Sequence, residues 1–504
     1  MKARLMYADS DFQAEREPGP GEADLIADLE LNTLWETMAQ GDEIILASCQ
    51  KAVLDGLVSP ERIRYRQDAL SDCLANRTVV RELYELAVRT VDDERHVYRG
   101  MSSRRGEALV RRSITVLELY TDALKRLRQA AADCAPSFNS QAFTTFFATL
   151  RAELDDAYFD ELAGHLRALR FRDGVVATAG LGKLGQGVDY VLRTPPRSHR
   201  LLKFLAPSIG RPSFSWTVPP RDDGGSQEMA ALRDRVLALV ADAVGQSTDH
   251  VTSFFQALRV ELAFYIGCVN LHERLSDKGE PLVMPDPQPL GSADRNADGL
   301  YEPCLALRVT QRVQGNALNT GGRPLIMVTG ANQGGKSTFL RSVGVAQLMM
   351  QAGMFTPAER FSAPVTNGVF THYRREEDAT MSRGKFNEEL ARMQHLTGAI
   401  TTGCLLLSNE SFATTNEREG SEIAGEVIRA LIDTGNAVVF VTHLYELACT
   451  FHSRYQDSTL FLRADRASDG SRPFRLREAE PLPTSYGADL YRQTFGVPAA
   501  QGAV

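Results

Sequence analysis

The stretch Gly330-Ala-Asn-Gln-Gly-Gly-Lys-Ser-Thr338 decides the fold of the second half of the chain, and the apolar run Leu325-Ile-Met-Val-Thr329 leads into it. The stretch matches the phosphate-loop pattern G-x-x-x-x-G-K-[ST] in the strand, loop and helix order that the pattern requires. Its glycines let the backbone curl so that successive N–H groups face one anion. The apolar spacing of residues 338–351 predicts a helix whose N-terminus faces the same anion. The pattern predicts a nucleoside triphosphate site.

The phosphate-loop pattern assigns a role to the polar side chains at its end. Lys336 supplies a positive charge to the β- and γ-phosphates, and the Ser337 hydroxyl binds Mg²⁺. A nucleoside triphosphate and Mg²⁺ are therefore the cofactors that the loop predicts. The predicted nucleotide-binding residues are Gly330, Ala331, Asn332, Gln333, Gly334, Gly335, Lys336, Ser337 and Thr338.

Length and composition are those of a globular protein. The 504 residues allow two or three domains, and shares of 43% hydrophobic and 24% charged residues are ordinary for a globular chain. The longest apolar runs have strand length, well short of the ~20 residues that span a bilayer. The N-terminus lacks the apolar core of a signal peptide, and the seven cysteines include no C-x-x-C pair. We therefore expect a cytoplasmic protein with no membrane partner.

The charge distribution singles out one segment of the chain. The whole chain carries a net charge of −8, yet residues 183–221 contain seven cations and one anion, Asp189. Aromatic residues lie in the same segment, and a basic patch with aromatics is typical of a surface that binds nucleic-acid phosphates. A solvated basic loop without a partner has the same pattern. The candidate DNA contacts are Lys183, Arg193, Arg197, Arg200, Lys203 and Arg211.

Apolar periodicity divides the chain at a proline-rich linker, residues 281–289. Before the linker, apolar residues three and four apart predict helices at 28–38, 43–54, 60–74, 109–127, 142–169, 227–244 and 249–275. Residues 172–223 between them are rich in glycine and proline and predict an irregular basic tip. After the linker, apolar runs predict strands at 304–309, 325–329, 368–372, 404–408 and 437–442. The fold class is therefore multidomain α and α/β, in which helices precede a domain with a mostly parallel sheet.

Polar side chains follow two of these strands, at the edge where α/β proteins bind ligands. Glu410 comes after the strand at 404–408 and fits a general base that polarises the attacking water. Asn409 stands where phosphate-loop ATPases usually have an Asp for Mg²⁺. Its amide keeps the oxygen and loses the charge, so we expect weaker Mg²⁺ binding or slow turnover. His443 follows the strand at 437–442 and fits a hydrogen bond to water or to the γ-phosphate, although a structural histidine fits there too.

Several motifs together carry a family pattern. Residues 329–338 follow TGPNMGGKST, and Val441-Thr-His-Leu-Tyr-Glu-Leu-Ala448 follows ATHYFELT. Residues 370–390 keep Asp378, Arg383, Phe386 and Glu389 of the segment between these motifs, and Ser485-Tyr-Gly487 and Gly496-Val-Pro498 follow terminal SYG and GVP elements. Residues 59–76 are similar to the start of a helical core. In these motifs the chain resembles the MutS family of DNA mismatch repair ATPases, strongly over 300–498 and weakly before that.

The resemblance implies a homodimer that completes two ATP sites across its interface and joins them to long lever helices ending in a DNA-gripping clamp. It implies an N-terminal segment at 1–21 and a helical core and lever domain at 22–280, with a clamp-like basic tip at about 172–225. A phosphate-loop ATPase domain of ABC type at 290–480 and a dimerisation tail at 481–504 follow. The family's chain after the strand-end glutamate reaches the partner's nucleotide, which makes Thr414, Thr415 and Asn416 candidates for that contact.

The chain departs from the family pattern at Asn409, at Gly384-Lys385 and at Ala413-Thr-Thr-Asn-Glu-Arg418, which replaces a GRGTST run. The helical pattern also begins so early that we expect no N-terminal mismatch-reading domain. We therefore expect an ATP-gated clamp for mismatched, branched or distorted double-stranded DNA, acting with other proteins in mismatch repair or recombination. An ATP-binding switch that does not hydrolyse ATP and scaffolds protein partners is the alternative.

Overall fold

The computed structural model describes residues 1–99, 106–171, 174–183, 187–193, 217–219, 221–292, 294–375, 384–467 and 469–483. The helices in these ranges are α1 (Glu22–Asp28), α2 (Leu31–Ala39), α3 (Glu43–Leu54), α4 (Pro60–Ala75), α5 (Arg77–Arg99), α6 (Gly106–Cys134), α7 (Gln141–Glu153), α8 (Asp156–Leu169), α9 (Asp223–Ser276), α10 (Pro303–Arg308), α11 (Lys336–Gln351), α12 (Lys385–Ala399), α13 (Glu417–Asp433) and α14 (Tyr445–Arg454). The strands are β1 (Val176–Leu181), β2 (Gly187–Arg193), β3 (Asp286–Gln288), β4 (Asn296–Leu300), β5 (Asn316–Asn319), β6 (Leu325–Gly330), β7 (Arg360–Pro364), β8 (Val369–Tyr373), β9 (Leu405–Asn409), β10 (Ala437–Val441), β11 (Thr459–Ala464) and β12 (Leu476–Glu478).

The described residues form two units. The first consists of Met1–Ala3, Arg81–Pro136 and the described part of Thr144–Arg259. The second consists of Arg4–Val80, Ser137–Phe143 and the described residues from Val260 onward. A long-helix region followed by a mostly parallel α/β region confirms the predicted fold class.

The first unit is built from long helices. On α6, Val110, Ile114 and Leu117 recur at helical spacing and are buried against Leu166 of α8 and Val244 of α9. Buried side chains at i, i+4 and i+7 form one apolar stripe, so α6 contributes a continuous face to this core.

The predicted irregular tip contains regular structure. Strands β1 and β2 pair antiparallel, from Val176 opposite Arg193 to Leu181 opposite Gly187. Every residue of β1 is exposed. The prediction of an irregular stretch over 172–223 is therefore wrong for this hairpin, whose Val and Tyr residues favour strands.

Two helix predictions differ from the structure in where the helices break. The predicted helix at 142–169 is two helices, because Asp155 caps α8 by accepting a hydrogen bond from the Tyr158 N–H at 2.7 Å. The predicted helices at 227–244 and 249–275 are one helix, α9. The Thr248 hydroxyl donates to the Val244 carbonyl at 2.8 Å, so a polar residue that favours a turn is accommodated inside the helix.

The second unit contains a six-stranded sheet in the order β12-β11-β6-β10-β9-β8. The pairs β11–β6, β6–β10, β10–β9 and β9–β8 are parallel, and only the edge strand β12 is antiparallel. The central strands are almost wholly buried, as expected for a parallel sheet with both faces covered. This register brings the carboxyl ends of β6, β8, β9 and β10 to one edge.

A smaller sheet in the second unit was not predicted. Its strand order is β3-β7-β4-β5, and its strands are three to five residues long. The predicted strand at 304–309 is also wrong, because these residues form α10. Glu302 caps this helix by accepting a hydrogen bond from the Cys304 N–H at 3.0 Å, and Pro303 occupies the first helical position.

An N-terminal strap, residues 4–12, is fastened to the second unit by two buried charged side chains. Glu261 of α9 accepts hydrogen bonds from the N–H groups of Leu5 at 2.6 Å and Met6 at 3.3 Å. Arg66 of α4 donates to the Met6 carbonyl at 3.1 Å and to the Ala352 carbonyl, just beyond α11, at 3.1 Å. Burial raises the pKa of Glu261 to about 7, although its backbone donors oppose the change.

One helical segment, Val240–Ser276 within α9, is long and apolar enough to span a membrane by length and composition. Within the part of the chain that the structure describes, the most apolar stretch of this segment is 83% buried inside the protein. The segment is therefore a buried core helix.

Candidate nucleotide-binding site

The predicted phosphate loop connects β6 to α11 through a backbone that bulky residues would not permit. Gly330 and Gly335 have φ values of 105° and 89°, in the left-handed region that favours glycine. A Cβ on Gly330 would lie 2.8 Å from the Ala464 nitrogen, so the backbone of β11 packs directly against the loop at this point. Gln333 also has a positive φ, 59°, and is the strained position of the loop.

Lys336 starts α11 and turns back over the loop. Its ammonium group donates hydrogen bonds to the carbonyls of Gly330 and Ala331, both at 3.1 Å. The side chain is buried, and this burial lowers its pKa, while the charge of Glu410 opposes that effect. The loop thus holds a buried positive charge beside the N-terminus of a helix, which is an arrangement suited to a phosphate.

The two predicted Mg²⁺ ligands are in contact. The Ser337 hydroxyl donates a hydrogen bond to the Asn409 Oδ1 at 2.9 Å. Asn409 is the last residue of β9 and lies opposite Val441 of β10 and Tyr373 of β8. A hydroxyl and an amide are both oxygen donors and fit Mg²⁺, which usually takes few protein ligands and completes its shell with phosphates and water. Both of these candidate ligands are neutral, so the phosphates of a bound nucleotide would supply the negative charge that balances Mg²⁺.

Glu410 follows Asn409 in a strained backbone conformation, with φ of 55°. Its N–H donates to the Val441 carbonyl at 2.8 Å, which keeps the residue beside the end of β10. Its Oε1 lies 3.8 Å from His443 Nδ1 and its Oε2 lies 4.0 Å from Arg374 Nη1. His443 lowers the pKa of Glu410 most, burial opposes this, and the charges of Lys336 and Arg374 add to the lowering. The carboxyl group is therefore ionised at neutral pH.

A cavity of about 830 Å³ joins these side chains. Its wall includes the loop from Asn332 to Thr338, together with Arg374, Glu410 and His443. Gly330, Ala331 and Asn409 are not among the lining residues, but the Asn409 side chain contacts the lining residue Ser337. The volume lies within the usual range of ~300–1,000 Å³ for small-molecule sites.

The cavity also has a lining residue that the sequence analysis did not identify, Phe474. It lies beside Gly335, and the residue is 52% exposed. Its backbone is held by Asn316, whose amide nitrogen donates to the Phe474 carbonyl at 3.2 Å. An exposed aromatic ring at the mouth of a phosphate cavity can stack on a nucleotide base. No sequence signal singled out Phe474, because it lies in an irregular segment far from any motif.

The three candidates for contact across a dimer have partners within their own chain. The Thr414 hydroxyl donates to Glu389 Oε2 at 2.6 Å, and the Thr415 hydroxyl donates to Glu419 Oε2 at 3.0 Å. Asn416 caps α13 by accepting from the Glu419 N–H at 3.0 Å. None of the three lines the cavity.

The segment after Glu410 is fastened by buried side chains of α12 and β8. Glu389 accepts from the Phe412 N–H at 2.6 Å, and Phe412 is itself strained, with φ of 63°. His372 Nδ1 lies 2.6 Å from the Ser411 hydroxyl. Glu389 was noted in the sequence as part of a family motif, but its role as an anchor of this segment was not predicted.

Only part of the candidate DNA surface lies among the described residues. Lys183 and Arg193 lie in or beside the β1–β2 hairpin and are exposed, and the Arg193 Nε donates to the Thr178 hydroxyl at 3.2 Å. The other candidates, Arg197, Arg200, Lys203 and Arg211, lie outside the described residues. Asp378, Arg383 and the SYG and GVP motifs of the tail lie outside them too.

Two family profiles match separate parts of the chain. The profile described as MutS2 N-terminal domain matches residues 58–278, and the profile described as MutS domain V matches residues 326–499. The chain is a MutS-family protein. MutS domain V is an ATPase domain, and its match includes the phosphate loop, Glu410 and His443.

Curated MutS proteins resemble part of this MutS-family chain. The DNA mismatch repair protein MutS of Natronomonas pharaonis is 29% identical over 214 residues, or 41% of this chain and 24% of that protein. The DNA mismatch repair protein MutS of Thermotoga petrophila is 35% identical over 141 residues, or 28% of this chain and 18% of that protein. The DNA mismatch repair protein MutS 2 of Halobacterium salinarum is 32% identical over 177 residues, or 35% and 20% of the two chains. The chain thus spans a quarter or less of the length of these relatives.

Proposed function

We propose that this MutS-family chain binds ATP with Mg²⁺ in the cavity at the end of β6, hydrolyses it, and uses the nucleotide state to gate a dimeric clamp on mismatched, branched or distorted DNA. The observation that carries the ATPase part is the meeting of Lys336, Ser337, Glu410 and His443 around one cavity of about 830 Å³. These four residues are supplied by α11 and by the carboxyl ends of two parallel strands, which is where α/β proteins bind ligands.

Lys336 and the loop amides hold the phosphates of ATP in this proposal. The Lys336 ammonium exchanges its loop carbonyls for the β- and γ-phosphate oxygens, which are better acceptors because they are charged. Ser337 and Asn409 hold Mg²⁺, which when bound neutralises phosphate charge. Phe474, an exposed aromatic residue of the cavity lining, offers its ring to the nucleotide base.

Glu410 is the proposed general base. A general base must be deprotonated before it can accept a proton, and the lowered pKa of Glu410 keeps it so. His443, 3.8 Å away, orients the carboxylate or the attacking water. The strained φ of Glu410 supports this role, because strain of this kind tends to occur at functional sites.

The clamp part of the proposal rests on the family and on charge. The curated relatives are named DNA mismatch repair proteins, and this chain exposes Lys183 and Arg193 at its hairpin. We propose that the helical region at 22–280 carries the clamp, with its tip at about 172–225, and that the ATPase region at 290–480 and the tail at 481–504 form the dimer. Thr414, Thr415 and Asn416 would then exchange their intrachain partners for the nucleotide of the partner subunit. A cytoplasmic location agrees with DNA as the ligand.

One observation favours a second candidate function. The neutral Asn409 beside Ser337 leaves the Mg²⁺ position without a carboxylate among its two candidate ligands. A chain of this kind can bind ATP and release it slowly without turnover, as a switch that scaffolds protein partners.

Hydrolysis by a Glu410→Gln variant tests the ATPase proposal. The substitution keeps the size of the side chain and removes the base, so phosphate release should fall roughly 10²–10⁴-fold while binding of a fluorescent ATP analogue is retained. Glu161→Gln, an exposed change of the same chemistry on α8, is the matched control and should leave turnover unchanged. Equal turnover in Glu410→Gln and the native chain would exclude Glu410 as the base, and binding without any turnover in the native chain would favour the switch.

A further inference from the structure

Arg374 lines the same cavity as the phosphate loop. It is the first residue beyond β8, and its N–H donates to the Asn409 carbonyl at 3.0 Å, which fixes its backbone to the end of β9. Its side chain is 43% exposed and lines the cavity with Lys336, Glu410 and His443. Neither a phosphate-loop pattern nor a strand-end carboxylate requires an arginine at this position.

The guanidinium of Arg374 has only one weak ionic contact within the part of the chain that the structure describes. Among the described residues, Glu410 is its acidic neighbour, and the 4.0 Å between Nη1 and Oε2 is too long for a hydrogen bond. Arg375 gives a direct comparison, because it carries the same group one residue later. Its guanidinium lies 2.6 Å from Asp24 and 3.2 Å from Asp28 of α1. Arg375 is therefore used within the fold, whereas the donors of Arg374 face the cavity.

The charges around the cavity show what Arg374 can bind. The lining side chains include three cations, Arg312, Lys336 and Arg374, and two carboxyl groups, Glu302 and Glu410. Both candidate Mg²⁺ ligands, Ser337 and Asn409, are neutral. The lining thus has more positive than negative charge before any nucleotide enters. A planar guanidinium with several N–H donors is suited to phosphate oxygens, because it can bind two of them at once.

We propose that Arg374 is a catalytic arginine supplied by the same chain, and that it binds the γ-phosphate oxygens as ATP is hydrolysed. This inference rests on the proposed ATPase function. In the step it serves, the oxygen of water bonds to the γ-phosphorus and its proton passes to Glu410. The bond between the γ-phosphorus and the bridging oxygen breaks, and its electron pair stays on ADP. Negative charge grows on the transferring group, and Arg374 neutralises it in place of the charge that Asn409 cannot supply through the metal site.

Turnover and transition-state binding in an Arg374→Ala variant test this proposal. We expect kcat to fall roughly 10³-fold, the lower end for an arginine that stabilises phosphoryl transfer, with ATP affinity changed by no more than about threefold. Binding of ADP with aluminium fluoride, which mimics the transferring phosphoryl group, should weaken strongly. The kcat of Arg374→Lys should lie between those of the native chain and Arg374→Ala, because an ammonium keeps the charge but is a point charge that cannot bind two oxygens as a guanidinium does. Arg360→Ala, an exposed arginine on β7, is the control and should resemble the native chain.

Each outcome separates this proposal from its alternatives. Arg374 could instead act only by holding Glu410 in place. In that case Arg374→Ala should bind ADP with aluminium fluoride as tightly as the native chain does. The double variant Arg374→Ala with Glu410→Gln should then have the same kcat as Glu410→Gln alone. Either result, or native turnover in Arg374→Ala, would overturn the proposal while the ATPase function stands. Absence of turnover and of aluminium fluoride capture in the native chain would instead reject the ATPase function itself.

Discussion

Asn409 and Glu410 are adjacent in sequence, and we propose different roles for them, a metal ligand for Asn409 and the general base for Glu410. Asn409 ends a buried parallel strand and presents a neutral oxygen to Ser337 at 2.9 Å. Glu410 leaves the strand at a positive φ, and its carboxylate lies near His443 and Arg374. The change from extended to left-handed backbone between two residues is therefore what separates the proposed metal position from the proposed base.

An Asn409→Asp variant tests the metal position. The carboxylate adds a charged oxygen ligand at the same place, so we expect half-maximal ATPase activity at a Mg²⁺ concentration roughly tenfold lower, because hard cations prefer charged oxygen ligands. Steady-state phosphate release over a Mg²⁺ titration measures this. Asn387→Asp, exposed on α12, is the control for an added charge. An unchanged Mg²⁺ dependence would place the ion away from residue 409.

At the scale of elements, α12 and β8 hold the segment that follows Glu410. The φ values of Glu410 and Phe412 are 55° and 63°, and a non-glycine residue in this region costs about 1–3 kcal/mol. Glu389 of α12 opposes that cost with 2.6 Å hydrogen bonds to the Phe412 N–H and the Thr414 hydroxyl. His372 of β8 holds Ser411 between them. The orientation of the Glu410 carboxylate thus depends on side chains that do not line the cavity.

Replacing Glu389 by Ala should disturb this segment and leave ATP binding intact. Two buried hydrogen bonds to a carboxylate are lost, so we expect the free energy of unfolding to fall by about 2–4 kcal/mol. We expect kcat to fall at least ~10-fold with little change in ATP affinity, because only the base is misplaced. Glu389→Gln should recover most of both, since its amide oxygen can still accept from Phe412. Chemical denaturation and phosphate release measure the two effects.

The exposed His395→Ala substitution on the same helix is the control for Glu389→Ala. If Glu389→Ala lowered stability and left kcat unchanged, the contact would serve the fold and not the position of Glu410.

Sequence reasoning located elements well where burial leaves a clear pattern. The strands β6, β9 and β10 lie between buried layers, so each is a continuous apolar run bounded by polar residues, and each was predicted within a residue or two. The strands of the smaller sheet are short and include Pro287 and Gly299, so they leave no such run. The apolar residues of α10 were read as a strand although Pro303 after Glu302 is a helix-start signal.

The side chains of the candidate site were only partly accessible to sequence reasoning. Asn409, Glu410 and His443 could be named because they follow strong strand patterns at the carboxyl edge of a parallel sheet. Arg374 follows β8 at the same edge, and the same reasoning applied to that strand would have identified it. Phe474 could not be found in this way, since its place beside Gly335 depends on the path of an irregular segment.

At the scale of the whole molecule, two family domains lie on one chain, and the proposed ligands differ between them. The MutS2 N-terminal domain match includes the basic hairpin, and the MutS domain V match includes the nucleotide cavity. The chain is acidic overall, with a net charge of −8, so the DNA binding that we propose would depend on a local cationic surface.

DNA affinity should therefore fall steeply as salt increases. Each phosphate contact makes the plot of log binding constant against log salt concentration steeper by about one. The double variant Lys183→Ala with Arg193→Ala should therefore make this slope shallower by about two. Arg62→Ala with Arg64→Ala, exposed on α4, removes the same charge and should leave the slope unchanged. Titration of mismatched, branched and intact duplexes, with and without ATP, measures both quantities. Absent or salt-insensitive binding would favour the protein scaffold.

The N-terminal strap has a consequence for how the chain is made. Leu5 is translated before the Glu261 carboxylate that binds it, which lies 256 residues later. At roughly 5–20 residues per second, translation delays this pairing by about 10–50 s. During that interval the strap has no completed surface to bind, and Arg66 lacks its partner at Ala352, which is translated later still. The strap therefore becomes ordered late in synthesis, long after residues 4–12 have been translated.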